Sequence, residues 1–277
     1  MFGLMQQQSL LISSLIEFAN RHHGDGEVVS RRVEGDVHRY TWADVANRSR
    51  QMANALDSLK LAQGARVAFL DFDIEAGTAH AARTGAAFLP CDLRDITALR
   101  AAIAEVQSRI GDPQVLVNNA ARDDRHAIES VEPDYWDERM ATNLRHMFFC
   151  AQAVAPAMCR AKSGSIINMG SVSWMAASGG MPAYTAAKSA VRGMTRGLAR
   201  DLGADGIRVN ELVPGWVFTE RQESLWAAPE AVERHMLKQC IKRKVMPPDI
   251  ARMALWLAAD DSRMVTAQHF VVDGGGV

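Results

Sequence analysis

The chain has few of the features that mark membrane, nucleic-acid-binding or secreted proteins. The apolar stretch LLISSLI near the N-terminus is too short to span a bilayer. No basic segment precedes this stretch and no small-residue cleavage site follows it, so a signal peptide is not expected. The formal net charge of -1 offers no attraction to nucleic acid or to an anionic membrane surface. These absences predict a cytoplasmic protein without either partner.

Cysteine is scarce, and its spacing excludes two further classes of protein. The chain has no C-x-x-C pair and no metal-ligand spacing, so we expect reduced thiols, no disulfide framework and no metal site. The cysteines are Cys91, Cys150, Cys159 and Cys240.

Glycine is absent from a long stretch where one dinucleotide-binding pattern requires it. The segment QGARVAFLD reads as a buried strand that ends in Asp71. An acid in this position binds the adenosine ribose in such folds, and a glycine-rich phosphate turn precedes it by about 20 residues. No glycine lies between Gly35 and Gly64. The acid is therefore present without the turn.

What the chain does have is a regular alternation of apolar strands and helical patterns from about residue 64 onward. An apolar content of 48% suffices for a full core. Because the strands are almost continuously apolar, the alternation predicts an α/β fold with a doubly wound parallel sheet covered on both faces. The predicted strands are Arg66–Leu70, Ala87–Leu89, Val115–Val117, Ser165–Met169, Arg208–Leu212 and His269–Val272.

Residues 1–62 follow a different plan, which we interpret as helix, hairpin, helix. A helix over about residues 9–22 precedes two strand-like runs that flank a Gly35-Asp36 turn. Thr41 is a suitable N-cap for the helix in WADVANRSRQMANALDSLK.

The segment YTAAK carries the strongest candidate for catalysis. Tyr184 and Lys188 lie four residues apart on one helical face, where an ammonium favours phenolate and is expected to lower the tyrosine pKa. Such a tyrosine can accept the proton of an alcohol. The pattern alone also fits a surface tyrosine beside a solvated lysine.

Polar or small residues end several predicted strands and indicate a shared cleft. Ser171 follows SIINMG, Asn119 follows VLVN, and Pro214-Gly215 ends another strand. Parallel sheets bind ligands at these carboxyl ends. Asn143 is a poor helix former inside a predicted helix. Its side chain either holds a water molecule in a proton path or caps a kink in the helix. Ser171 also suits a simple turn.

Together these residues resemble the short-chain dehydrogenase/reductase family over about residues 63–277, with a Rossmann-like fold. The matching motifs are CDL, NNAA, the Ser171–Tyr184–Lys188 set, PGWVFT and VVDGG. The resemblance implies that Ser171 orients the reacting oxygen, Tyr184 is the acid/base, Lys188 binds the nicotinamide ribose and Asn143 completes a proton relay. It also implies that Asp71 favours NAD over NADP. The implied cofactor contacts are Asp71, Asp92, Leu93, Asn119, Ala120, Tyr184, Lys188, Pro214, Gly215, Val217 and Thr219.

A narrower similarity is to bacterial aldose 1-dehydrogenases, which oxidise the anomeric hydroxyl of a sugar to a lactone. DDRH at Asp123–His126, INMGSVSW and VPGWVFTERQ carry it. The resemblance implies a sugar substrate and a homo-oligomer, either a dimer or a tetramer. The implied substrate contacts are Asp124, His126, Ser173, Trp174 and Gln222, with Asp123, Trp216 and Trp226 nearby. Alternatively, DDRH is a solvated loop and the tryptophans are core or oligomer contacts.

The first 62 residues resemble the opening segment of AMP-forming acyl-CoA synthetases, carried by LLISSLIEFANRHHGD and VHRYTWADVANRSRQMANAL. The nucleotide loop of that family is absent, so ligase activity is not expected. This segment replaces the first strand and glycine-rich turn of the dehydrogenase family. VHRYT (37–41) is a poor substitute strand because His38 and Arg39 are polar, and Trp42 stands where phosphate would bind. We therefore expect impaired cofactor binding, or alternatively an inactive fusion that only folds or oligomerises.

Overall fold

The protein divides into two compact units, residues 1–65 and residues 66–277. The computed structural model describes residues 27–31 and 37–41 of the first unit and all of the second. In the first, β1 (Glu27–Arg31) pairs antiparallel with β2 (Val37–Thr41). The predicted hairpin is therefore confirmed. The predicted helices around it and the Trp42 position lie outside the described residues.

The antiparallel pairing also bears on the hypothesis that residues 37–41 substitute for a parallel strand. Val28 faces Tyr40 and Ser30 faces His38 across the hairpin. Among the described strands, β2 has β1 as its only partner. The structure thus gives this segment an antiparallel partner within its own unit.

The second unit alternates strands and helices as predicted, and its bounds are as follows. The strands are β3 (Ala68–Asp71), β4 (Ala87–Pro90), β5 (Val115–Asn118), β6 (Gly164–Met169), β7 (Ile207–Pro214) and β8 (His269–Val272). The helices are α1 (Ile74–Thr84), α2 (Ile96–Ile110), α3 (Pro133–Met140), α4 (His146–Ala161), α5 (Pro182–Leu202), α6 (Glu220–Trp226), α7 (Pro229–Lys238) and α8 (Pro247–Ala258). A π-helical segment, Ala141–Arg145, joins α3 to α4. Short 3₁₀ turns occupy Ile128–Ser130, Gly203–Asp205 and Asp260–Ser262. Among the described helices, none is long and apolar enough to cross a bilayer.

All strand pairs of the second unit are parallel, which confirms the predicted α/β class. The strands form two ladders, β3–β4 and β5–β6–β7–β8. In a doubly wound sheet of this order, the first strand of the fold lies between the second and the fourth. Here no described strand pairs with β3 or β5 on that side. Val117 of β5 is accordingly 45% exposed, whereas Ile166 and Ile167 of β6 are 0% exposed.

The core lies on both faces of the larger ladder, as alternation along β6 dictates. Ile166 packs with α2, α4 and α5 on one face, where Leu99 and Val154 are buried. Its neighbour Ile167 packs against α8 on the opposite face, with Leu257. Burial on both faces explains why the strands are apolar throughout. Their parallel pairing places the carboxyl ends at one common edge.

Candidate active site

Ser171, Tyr184 and Lys188 reach the carboxyl edge of the sheet from two elements. Ser171 follows β6 after a single glycine, and α5 carries Tyr184 and Lys188 in its first two turns. The backbone N–H of Val172 donates to the Pro214 carbonyl at the end of β7 over 3.1 Å, so the serine loop is held against the neighbouring strand. The Ser171 side chain lies within hydrogen-bonding reach of Tyr184 and lowers the pKa of the phenol.

Lys188 is fixed by burial and by one strong hydrogen bond. Its side chain is 1% exposed, and Nζ donates to the Met169 carbonyl over 2.7 Å. Nζ lies 5.8 Å from the centroid of the Tyr184 ring. Burial lowers the pKa of Lys188 to about 8, and the negative charge of Glu211 acts in the opposite direction. The ammonium is therefore anchored at the end of β6, beneath the tyrosine ring.

The pKa of Tyr184 differs from the sequence-based prediction, which was a lowered value. Burial raises it to about 12, and the Ser171 side chain lowers it by a smaller amount. The prediction was wrong because it counted the ammonium and neglected desolvation, which disfavours phenolate more strongly here. Asp123 and Arg125 also act on this pKa, in opposite directions. The loop of residues 122–126 therefore faces the tyrosine.

Asn143 lies within the π-helical segment and is fully buried. Its side-chain oxygen accepts from the backbone N–H of Arg122 over 2.7 Å, and its nitrogen donates to the Arg139 carbonyl over 3.0 Å. A π-segment leaves a helical carbonyl without its usual partner, and such segments are frequent at functional sites. Asn143 thus joins the Arg139 carbonyl to the backbone of Arg122 and fixes the start of the 122–126 loop.

The residues expected at the adenosine end stand at strand ends, and several have partners in the protein. Asp71 ends β3 and is exposed, with Oδ1 accepting from the Asp73 backbone over 3.0 Å. Asp92 is bound by Arg94, whose guanidinium lowers the pKa of that carboxyl. Leu93 packs against the core. Asn119 is exposed and Ala120 is partly buried just beyond β5.

The residues expected around the nicotinamide follow β7. Pro214 is its last residue. Gly215 is required by close packing, since a Cβ there would lie 2.8 Å from Asp273 Cα. Val217 bridges Val245, and Thr219 is the N-cap of α6.

The positions of these residues can be compared with the parts of a nicotinamide dinucleotide. The buried lysine, the tyrosine and the strand ends fit the nicotinamide and its ribose, and the exposed acid ending β3 fits a second ribose. The glycine-rich turn that binds the pyrophosphate in such folds does not precede β3 in the sequence. Within residues 66–277 no cluster of metal-ligand side chains is found.

The residues expected to bind sugar form an ionic network that joins the 122–126 loop to α6. Asp123 accepts from Arg221 over 2.6 Å and from Gln222 Nε2 over 2.8 Å. Asp124 accepts from Arg221 over 2.9 Å and from the buried Arg139 over 3.1 Å. Gln222 Oε1 accepts from Trp216 Nε1 over 3.0 Å. These side chains therefore hold the loop and α6 together.

His126, expected to contact substrate, has both ring nitrogens engaged within the protein. Nε2 accepts from the backbone N–H of Ala183 over 3.3 Å, and Nδ1 lies 3.0 Å from the Tyr135 hydroxyl. Ala183 immediately precedes Tyr184 in the first turn of α5. The ring thus supplies a hydrogen-bond acceptor to a helix N-terminus that has no side-chain N-cap bond.

His126→Ala is therefore expected to lower the free energy of unfolding by about 1 kcal/mol, the usual cost of losing a helix cap. His126→Asn should recover part of this loss, because its amide oxygen can accept the same bond. Urea denaturation measures the effect. His80→Ala, at an exposed position of α1 where the ring contacts Arg83 and Phe69 but caps no helix, is the matched control and should cost less. Equal losses at both positions would contradict the capping role.

Other predicted substrate contacts have polar atoms without partners. Ser173 Oγ, Trp174 Nε1 and Trp226 Nε1 are buried and make no hydrogen bond with any described residue. Buried polar atoms normally have partners, so these are available to a ligand. Ser173 and Trp174 follow Ser171 closely, and Arg125 lies 5.0 Å from the Trp226 ring centroid.

Sequence reasoning missed Glu211, which is buried in β7. A glutamate inside the apolar strand IRVNELVP was a visible signal, since an acid is rarely buried without a purpose. It also missed the link from Arg122 to Asn143, for which the sequence holds no signal.

A parallel α/β sheet with a serine, a tyrosine and a lysine meeting at its carboxyl edge is the arrangement of short-chain dehydrogenases/reductases, and the chain belongs to that family. Residues 46–276 match the family described as "Enoyl-(Acyl carrier protein) reductase". This match begins within residues 1–62, and the comparisons do not show a resemblance of that segment to acyl-CoA synthetases.

Two curated relatives are sugar dehydrogenases by name. The chain is 47% identical over 219 residues to a probable galactose dehydrogenase of Rhizobium meliloti, covering 77% of this chain and 86% of the relative. It is 44% identical over 218 residues to D-xylose 1-dehydrogenase of Caulobacter vibrioides, with the same coverage.

A solved structure agrees with the fold. The gluconate 5-dehydrogenase of Burkholderia cenocepacia, in complex with NADP and tartrate, is 32% identical and superposes with a TM-score of 0.72. The similarity covers 77% of this chain and 86% of that one.

Proposed function

We propose that the protein oxidises the C1 hydroxyl of an aldose to a lactone with NAD as the oxidant, and that its affinity for NAD is weak. The observation that carries the proposal is the convergence of Ser171, Tyr184 and Lys188 at one sheet edge. The two relatives named for galactose and xylose support the substrate class. The buried, unpartnered polar atoms of Ser173, Trp174 and Trp226 support it independently, because a sugar offers many hydroxyl groups to such atoms.

The roles of the residues follow from their positions. The Ser171 hydroxyl holds the reacting oxygen, and the Tyr184 phenolate accepts the proton of the C1 hydroxyl. Lys188 supplies positive charge beneath the tyrosine and binds the nicotinamide ribose. Asn143 connects this site to the backbone of the 122–126 loop. The bound nicotinamide supplies the acceptor for the hydride that leaves C1.

Further parts of the proposal concern the cofactor and the assembly. Asp71 is exposed at the end of β3, where a carboxylate accepts ribose hydroxyls and repels a 2′-phosphate, so we assign NAD in preference to NADP. Val217 and Thr219 follow β7 on the nicotinamide side. We also propose a cytoplasmic dimer or tetramer, and an origin of residues 1–62 in the acyl-CoA synthetase family.

A panel of aldoses tests the activity. Galactose, xylose and arabinose are incubated with millimolar NAD or NADP, and reduced cofactor is followed by absorbance while lactone is followed by mass spectrometry. We expect both products with at least one sugar, and more with NAD than with NADP. Oxidation of simple alcohols with no sugar oxidised would contradict the substrate class.

The missing glycine turn favours a second candidate, a folded protein without turnover. It predicts no reduced cofactor with any aldose at any NAD concentration. Light scattering would then still show oligomers, and the panel above separates the two candidates directly.

A further inference from the structure

A row of polar side chains crosses the larger ladder at the level of the catalytic residues. Asn118 of β5 pairs with Asn168 of β6, Asn168 with Glu211 of β7, and Glu211 with His269 of β8. Paired residues of parallel strands project on the same face of a sheet. Asn168 Nδ2 donates to Thr195 Oγ1 over 3.0 Å, so this face meets α5. Glu211 is the one acid in the row.

The Glu211 carboxylate lies at the end of β6, next to the serine loop. The residue is 0% exposed, and neither carboxylate oxygen accepts a hydrogen bond from any described residue. A Cβ built on Gly170 would lie 2.2 Å from Glu211 Oε1. The carboxylate therefore occupies the space that a side chain at 170 would fill, directly before Ser171.

The charged groups that face this carboxylate come from two elements. Lys188 and Arg192 are both on α5, and neither donates a hydrogen bond to the carboxylate. Lys188 Nζ is bound to the Met169 carbonyl, one residue before the Gly170 against which Glu211 Oε1 packs. The charges of Arg192 and Lys188 both lower the pKa of Glu211. His269 is paired with it on β8. Arg192 is also engaged elsewhere, since Nη1 donates to the Ala267 carbonyl over 3.3 Å. Lys188 faces one further titratable group, His146 of α4, which burial keeps neutral by lowering its pKa to about 4.

We propose that Glu211 is the buried counter-charge of Lys188 and acts as a positioning residue, holding the ammonium charged beneath Tyr184. A buried ammonium with no opposite charge nearby tends to lose its proton. Its hydrogen bond to the Met169 carbonyl orients the group and brings no net charge. Only the catalytic consequence rests on the proposed function, because the pairing of charges can be measured without cofactor or substrate.

The direction of each pKa gives the pH window in which both groups are charged. Burial raises the pKa of Glu211 to about 7, and Arg192 and Lys188 lower it by smaller amounts. Burial lowers the pKa of Lys188 to about 8, and Glu211 raises it. Both groups are therefore charged between these two values.

The linkage to stability has opposite signs for the two groups. The pKa of Glu211 is raised in the folded state. Its contribution to stability is therefore present below the pKa of the unfolded state and is lost as the pH rises through the pKa of the folded state. The pKa of Lys188 is lowered in the folded state. Its contribution to stability is therefore present above the pKa of the unfolded state and is lost as the pH falls through the pKa of the folded state. Their mutual attraction requires both charges, so it is measurable near neutral pH and disappears in mild acid, where Glu211 is protonated.

A double-mutant cycle tests the pairing. Glu211→Gln, Lys188→Met and the double variant are unfolded in urea at about pH 7.5 and about pH 5.5. We expect coupling of about tenfold in the unfolding equilibrium constant at the higher pH, and none at the lower, where Glu211 is neutral. Lys188→Gln is a second neutral variant should Lys188→Met fail to fold.

The matched control is a cycle of Glu211→Gln with Arg192→Gln. Because Lys188 and Arg192 both act on the Glu211 carboxylate, this second cycle shows whether the carboxylate interacts mainly with Lys188 or with Arg192. Absence of coupling to Lys188, coupling equal at both pH values, or coupling confined to Arg192 would overturn the proposal.

The catalytic arm uses Glu211→Gln alone. Lys188 should then lose its proton at lower pH, so the alkaline limb of kcat/KM for sugar oxidation moves down by about one pH unit or more. A loss of activity with no movement of the limb would show a merely structural role and contradict the positioning one. An inactive natural chain would contradict the proposed function, whereas the stability cycle would still decide the pairing.

Discussion

Replacement of residues 1–62 by a strand and glycine-rich turn of the short-chain dehydrogenase type is expected to raise NAD-linked sugar oxidation by orders of magnitude. The glycine turn brings backbone N–H groups against the pyrophosphate at a helix N-terminus. Two or three such bonds to a charged group contribute about 1.5–3 kcal/mol each, so a gain on the order of 10³-fold in cofactor affinity is reasonable.

The inserted strand should also stabilise the sheet. β3 and β5 have no described strand partner on the sides that face the position of the first strand, and Val115 and Val117 are 40% and 45% exposed. Pairing of both edges would bury these side chains. We therefore expect the replacement to raise the urea midpoint together with kcat/KM for NAD.

A matched control separates the phosphate site from simple repair of the fold. The same replacement with a bulky residue at the second glycine of the turn restores the strand but blocks the approach of the pyrophosphate. It should keep the gain in stability and lose most of the gain in activity. Equal activity of the two replacements would contradict the role assigned to the turn.

Tyr184→Phe is expected to lower sugar oxidation by at least about 10³-fold, in the natural chain at high NAD and in the replacement alike. The change removes the one group placed to accept the C1 proton and alters little else, because the ring stays buried. Since burial raises the pKa of Tyr184 to about 12, the rate of the unmodified enzyme should first increase with pH as phenolate is populated, and it should fall again where Lys188, with a pKa of about 8, loses its proton. Reduced cofactor is measured from mildly acidic to alkaline pH.

Tyr135→Phe is the matched control for this prediction. Tyr135 lies near the site, but its hydroxyl contacts His126 and has no assigned chemical role. We expect a change of a few fold in rate and an unaltered pH dependence. Comparable losses in the two variants, or a Tyr184→Phe protein that keeps its activity, would refute the assignment of the base.

The parts of the fold that could be predicted are those governed by local pattern. β6, β7 and β8 were predicted within two residues of their bounds, because a strand buried on both faces must be apolar. The Tyr184–Lys188 pair followed from helical spacing. Its pKa could not be predicted, because desolvation depends on how completely α5 and β6 bury the site.

The remaining features depend on contacts between distant segments. His126 was expected at the substrate because of the motif around it, yet its ring contacts Ala183 of α5 and Tyr135 of α3. Asp123 and Asp124 are expected near a sugar because of their motif, and their ion pairs with Arg221 could not be predicted from it. Polar side chains in a sequence show that partners are needed, and only the packing of helices and loops shows which partners they have.

The initial rate of sugar oxidation by the natural chain as a function of NAD concentration tests the central claim most directly. We predict a rate that rises in proportion to NAD through the millimolar range, because the catalytic residues are assembled and the phosphate turn is absent. Saturation at low-micromolar NAD would contradict the claim of weak binding, and no reduced cofactor at any concentration would contradict the assignment of an enzyme.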